Sequence, residues 1–403
     1  MHTGFTRNRI LCGASKKRES VLSHHRLERL TAAIVIVVAA IALTLTAGCS
    51  DGGSTTATSS TGPTAGFASK LQAEAANTVS VAAAGDVNFG DGVTPYISSE
   101  GVDYPWTSAS AVFAQGDVSF VNLECCLSTG GSPVVGKEFT FEGPPDAAVG
   151  MKQAGIDVVS LANNHSKDYG GQAFVDTLNN LRAQGIAYCG AGMNSTEAYS
   201  PAILDAQGKK VAFVAFSNVV PDGWPATSTT PGCAVGWSTP KVTQTIKDAK
   251  AKADFVVASF HWGIELATSP GGDQRSLAHA AVDAGADVVL GHHPHVVQGF
   301  EVYKNRLIAY SLGNFVFSPP REISAKTLSI LVALNKNGLR QAKIVPMVIS
   351  SCRPVIITGQ AAASWLATVQ GYSSQLGTKI DIRGERGFIE GAVPAAPGSA
   401  NVK

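Results

Sequence analysis

Three of the chain's nine histidines fall within four positions, in Gly291-His292-His293-Pro294-His295. They follow Val288-Val289-Leu290, an apolar run that reads as a buried parallel strand. Ligands of open α/β sheets sit beyond the carboxyl ends of strands, so imidazoles arrive where a site is expected. Pro294 fixes how the rings of His293 and His295 diverge. Paired histidines in this frame suit a metal. Four other apolar runs end in a metal-capable residue: 79–84 before Asp86, 118–123 before Glu124, 157–162 before Asn164 and His165, and 255–260 before His261. Five strands of one sheet would bring these groups to a single crevice. Carboxylates, an amide oxygen and imidazoles form the mixed set that suits Mn, Fe or Zn. A bridging carboxylate with several histidines is enough for two divalent ions about 3.5–4 Å apart. Each residue also has a plainer role. Asp86 could be a turn former, and Asn163 and Asn164 could cap a helix. Glu265 and His292 are read as groups that orient ligands rather than as ligands. His279 is read as solvated.

The elements that must position these residues alternate. Helices are expected over 172–184, 240–252, 274–284 and 361–376, with Phe174, Leu178 and Leu181 on one face of the first. Hairpins are expected around Lys304-Asn305 and around Lys336-Asn337-Gly338. The fold class is therefore α/β, with a body over 78–392 and a loose Pro/Ala/Gly-rich tail over 393–403. Charged residues make up 15%, below the ~25% usual in globular domains, and the net charge is +1. No basic patch marks a nucleic-acid partner. G-x-S-x-G, H-E-x-x-H and P-loop motifs are absent, which removes serine hydrolase, zincin and nucleoside-triphosphatase readings.

The amino-terminal stretch has different chemistry. Seven basic residues against two acidic ones, up to Arg29, precede an uncharged apolar run over 30–48. That is the form of an export signal. Leu45-Thr46-Ala47-Gly48-Cys49 resembles a bacterial lipobox, with Cys49 as the lipidated mature terminus and 49–77 as a Ser/Thr/Gly-rich tether. A signal-anchor helix is the alternative. Both place the body outside the cytoplasmic membrane. Of seven cysteines, five remain beyond Cys12 and Cys49, and no C-x-x-C pair exists for a zinc ribbon.

Several spaced motifs together resemble a known family. They are Gly85-Asp86, Asn122-Leu123-Glu124, Asn163-Asn164-His165 with Asp168 and Gly170, His261-Trp262-Gly263 with Glu265, Gly291 to Val296, and Ser311-Leu312-Gly313-Asn314-Phe315. In this order they resemble the capsule-synthesis (CapA) family of poly-γ-glutamate assembly, itself similar to calcineurin-like metallophosphoesterases. The resemblance implies a two-layer β-sandwich flanked by helices. It implies that Asp86 and His295 hold a first metal, that Asn164, His261 and His293 hold a second, and that Glu124 bridges them. His165 would donate a proton, oriented by Asp168, with Asn88, Asn122, Glu265 and His292 alongside. The phosphoesterases have Asp-x-His at the first motif, where this chain has Asp86-Val87-Asn88. Implied partners are an anionic envelope polymer or phosphorylated substrate, membrane proteins of capsule synthesis or export, and the membrane itself through the lipid. The implied activity is metal-dependent hydrolysis of phosphoester or amide bonds. A non-catalytic assembly component is the alternative.

Overall fold

The computed structural model describes residues 78–319 and 321–392. The leader, Cys49, the tether and the tail lie outside the described residues. The strands at the centre are continuously apolar because both their faces are covered. Along Val79–Val87, the side chains of Val79, Val81 and Ala83 enter one core layer, and Ala82, Ala84 and Val87 enter another. Lys209–Ser217 divides the same way: Val211, Phe213 and Ala215 face inward, and Ala212, Val214 and Phe216 face outward. The inward sets of the two strands belong to one shared layer. Its contact between sheets includes Phe120 stacked on Phe213, centroids 5.7 Å apart. The body is therefore two sheets packed face to face.

Among the described residues the larger sheet has ten strands. Its parallel section runs Val79–Val87, Val118–Leu123, Val158–Ser160, Ala187–Cys189. The smaller has six, with Lys209–Ser217, Phe255–His261, Val288–His292 and Arg306–Ala309 parallel to one another. The five site-bearing strands therefore come from two sheets, not from one as the strand pattern alone suggested. Period-2 patterning shows that both faces of a strand are buried but not which sheet it joins. The carboxyl ends of both parallel sections meet along one rim.

Helix Gly170–Ala183 buries Phe174, Leu178 and Leu181 on the outer face of the larger sheet. Thr239–Lys250 and Gly272–Asp283 bury Val242, Ile246, Leu277 and Ala281 on the outer face of the smaller one. Each of these helices ends near a predicted boundary. Ser238 caps one, accepting from Lys241 N. Helix Gly359–Ser374 instead sends Trp365, Leu366 and Val369 into the layer between the sheets. Both predicted hairpins are present: Tyr303 pairs Arg306, and Asn335 pairs Gly338. Lys304 and Asn305 take φ of 48° and 58°, as a two-residue type I′ turn requires. Among the described residues no disulfide forms, and no helix is long and apolar enough to cross a membrane.

Candidate metal centre

The rim is built by close backbone approach. Gly85 lies so near the next segment that a Cβ there would sit 1.8 Å from Gly313 O; at Gly291 it would sit 1.9 Å from Tyr310 O. Only glycine fits either place. Asp86 follows Gly85 at a register shift in its strand, opposite Asn122 on one side and Asn314 on the other. His293 and His295 take φ of 96° and 59°, a strained backbone for side chains of this size, and such strain clusters at functional sites.

Asp86 is fully buried. Its Oδ1 accepts from Asn122 Nδ2 (2.9 Å) and lies 3.2 Å from His292 Nδ1. Its Oδ2 accepts from His293 N (3.3 Å) and lies 3.8 Å from His295 Nδ1. Burial pushes this carboxyl up, but the imidazoles of His292 and His295 outweigh it and hold the net below the usual range. Glu124, also fully buried, is the opposite case. Burial and then the charge of Asp86 raise it well above the usual range. Its Oε1 is 3.5 Å from His261 Nε2 and 4.0 Å from His165 Nε2, and neither carboxylate oxygen has a hydrogen-bond partner. His261 Nε2 is 2.7 Å from Asn164 Oδ1. Burial, then the neighbouring His293, lowers His261 well below an ordinary imidazole. Burial and His295 lower His293 to about 4. Both shifts favour the neutral ring, the form that binds a metal.

Three sets of ligand atoms each lie within 4.8 Å of one another: Glu124, His261 and His293; Asp86, Glu124 and His295; Glu265, His293 and His295. An orphaned buried carboxylate is costly unless a cation meets it. Glu124 with both oxygens unpartnered, and His293 with Nδ1 buried and unpartnered, therefore fit a divalent transition metal.

Of the residues expected beside the ligands, Asn122 bridges Asp86 and His261, its Nδ2 also 3.4 Å from His261 Nδ1. His292 lies against Asp86. Asn88 Oδ1 accepts from Gly90 N (2.8 Å) and closes a local turn. His279 is not merely solvated but lies 2.9 Å from Glu301 Oε1 and stacks on Tyr303. His165 Nδ1 meets Asp168 Oδ2 at 2.6 Å, and Phe141 packs on its ring with centroids 4.3 Å apart. Burial lowers His165, against the pull of Asp168.

Sequence reading missed Lys137. Its ammonium pairs with Asp168 Oδ1, donates to Asn164 O (2.5 Å) and lies 3.0 Å from His165 Nδ1. No pattern marks a single lysine in a Gly-rich loop. Asn314 was also missed, with its Oδ1 2.8 Å from His295 Nδ1; it lay within the Gly-Asn-Phe motif and was legible there.

The fold is a sandwich of two parallel-cored sheets whose common rim carries carboxylates and imidazoles that could hold a metal ion. The chain belongs to the bacterial capsule synthesis protein family PGA_cap, whose pattern matches residues 80–319. It is 32% identical over 288 residues to the capsule biosynthesis protein CapA of Bacillus anthracis, covering 68% of each chain. It is 31% identical over 295 residues to the PGA biosynthesis protein CapA of Bacillus subtilis strain 168, covering 71% of this chain and 75% of that one. Among solved structures, the NAD nucleotidase of Haemophilus influenzae is similar at 13% identity and a TM-score of 0.36, over 73% of this chain and 56% of that one.

Proposed function

We propose that this chain is a metal-dependent hydrolase of phosphoester or amide bonds serving poly-γ-glutamate capsule or a related envelope polymer. In this reading Cys49 anchors it by lipid outside the cytoplasmic membrane. The observation that carries the reading is Glu124, buried with both oxygens unpartnered amid His261, His293, His295 and Asp86. Asp86 and His295 would hold one ion, Asn164, His261 and His293 a second, and Glu124 both. A bound divalent ion supplies Lewis-acid activation of water and of the scissile group. The protein's own part is orientation and proton transfer. Asp168, itself held by Phe141 N (2.7 Å) and Lys137, fixes the ring of His165 through Nδ1. Nε2 then lies 4.0 Å from Glu124 Oε1, and the ring, when protonated at both nitrogens, would hand the Nε2 proton to a leaving group. An anionic polymer or phosphorylated substrate is the partner this centre suits, with membrane proteins of capsule synthesis or export as neighbours.

The test separates holding metal from moving protons. His261→Ala should lower metal content and metal-linked thermal stability together. Stabilisation follows RT ln(1 + [L]/Kd), about 4 kcal/mol at a thousandfold excess. His165→Ala should spare metal content yet lower turnover by ~10²–10⁴ on a phosphodiester or a poly-γ-glutamate chain. A second reading, a non-catalytic assembly component with a structural metal, is favoured by the first motif, where Asn88 stands in place of the phosphoesterases' histidine. It stands if His165→Ala keeps wild-type turnover and capsule phenotype while His261→Ala abolishes the phenotype.

A further inference from the structure

Glu265 is exposed on the loop after His261, with no hydrogen-bond or ion-pair partner among the described residues. Its carboxylate nevertheless lies within 4.8 Å of a ring nitrogen of His293 and of His295. The loop that carries it is not free to drift. Leu266 N donates to Pro294 O (2.8 Å), the carbonyl between those two histidines. Gln298, fully buried, donates from Nε2 to Ala267 O (2.8 Å) and Ser269 O (3.2 Å), and is held by Gln274 (3.1 Å). Leu266 takes φ of 63°, so three strained non-glycine residues, Leu266, His293 and His295, converge on one spot. Strained backbone persists only where the surrounding structure holds it, as the Leu266–Pro294 and Gln298 bonds do here.

We infer that Glu265 is a metal ligand. It shares His295 with the set of Asp86, Glu124 and His295, and closes that position from the solvent side. Two ligands on opposite sides of an ion, each about 2.1 Å from it, are about 4.2 Å apart, so a spread of 4.8 Å needs only a small closure. His293 belongs to the Glu124–His261 set as well as the Glu265 set, so the neighbouring position keeps its own ligands when Glu265 is removed. A third carboxylate also brings the ligand charge nearer to that of two divalent ions. The inference rests on the centre holding metal as proposed above.

The experiment is calorimetric titration of Mn²⁺ alone into the metal-stripped full-length chain, its Glu265→Ala and Glu265→Gln variants, and Asp273→Ala. Asp273 is a nearby exposed carboxylate outside the three sets. Both Glu265 variants should bind Mn²⁺ at least tenfold more weakly at one position and normally at the other. Their metal-free melting temperatures should match wild type, because the side chain is exposed. Asp273→Ala should titrate like wild type. Superimposable isotherms for wild type and Glu265→Ala overturn the inference, as does equal weakening by Asp273→Ala, which would mean a general field effect. No Mn²⁺ uptake by the wild-type chain would remove the centre itself, and this inference with it.

Discussion

Lys137 shows how a residue without a motif becomes part of a site. Burial pulls its ammonium below the ordinary lysine range, against the pull of Asp168. Three partners nonetheless hold it: a carboxylate, a carbonyl of the Asn164 loop and the His165 ring. Lys137→Met keeps the stem and removes the charge. Leaving Asp168 short of a partner should destabilise the protein by about 1–3 kcal/mol in denaturant titration. It should also lower turnover in whichever assay registers His165→Ala, because the ring loses its support. Unchanged stability and turnover together would show that Asp168 and Phe141 suffice. The histidines and carboxylates were legible because each ends an apolar run at a place where sheets put ligands. Lys137 was not, because a loop sequence does not state where its tip lands.

Strands and helices were legible because burial leaves a periodic trace. The runs at 118–123 and 255–260 match their strands to within a residue. Short pairings such as Asn314–Val316 and Arg353–Ile356 were not, because they depend on partners distant in the chain. The pole opposite the site has its own fastening. Asp117 Oδ2 accepts from Ser80 N (2.8 Å) and Ser80 Oγ (2.7 Å), and its Oδ1 from Gln207 Nε2 (2.8 Å). Gln207 sits in the turn between Ala202–Ala206 and Lys209–Ser217, so this one carboxylate ties the larger sheet to the smaller. Burial raises Asp117, but these hydrogen bonds outweigh it and lower the net. A folded value below the unfolded one, ~3.9, gives stability that is present above that pH and lost as pH falls through the folded value. Asp117→Asn should therefore be less stable than wild type at pH 7, with the gap closing below about pH 4. Denaturant midpoints across pH check this; a gap that stays constant into acid would mean the hydrogen bonds carry no linked proton.

At the scale of the whole molecule, the body is proposed to be lipid-tethered, and the motif at Cys49 carries that proposal. Cys49→Ala should leave an unprocessed precursor, visible as a larger band; processing to wild-type size would mean an ordinary signal peptidase acts. The two-sheet architecture was implied by family resemblance rather than by pattern, since alternation along a strand does not say which strands share a sheet. That architecture carries a consequence of its own. The proposed ligands come from both sheets: Asp86, Glu124 and Asn164 from one side of the inter-sheet layer, His261, His293 and His295 from the other. Ion affinity and the gap between the two sheets are then linked quantities, and linkage is reciprocal. Whatever factor by which a bound ion favours the closed gap, a closed gap favours the ion by the same factor. Phe120, stacked on Phe213 across the gap, also lies against the His292 ring with centroids 6.0 Å apart, so the packing between the sheets reaches the rim through that contact.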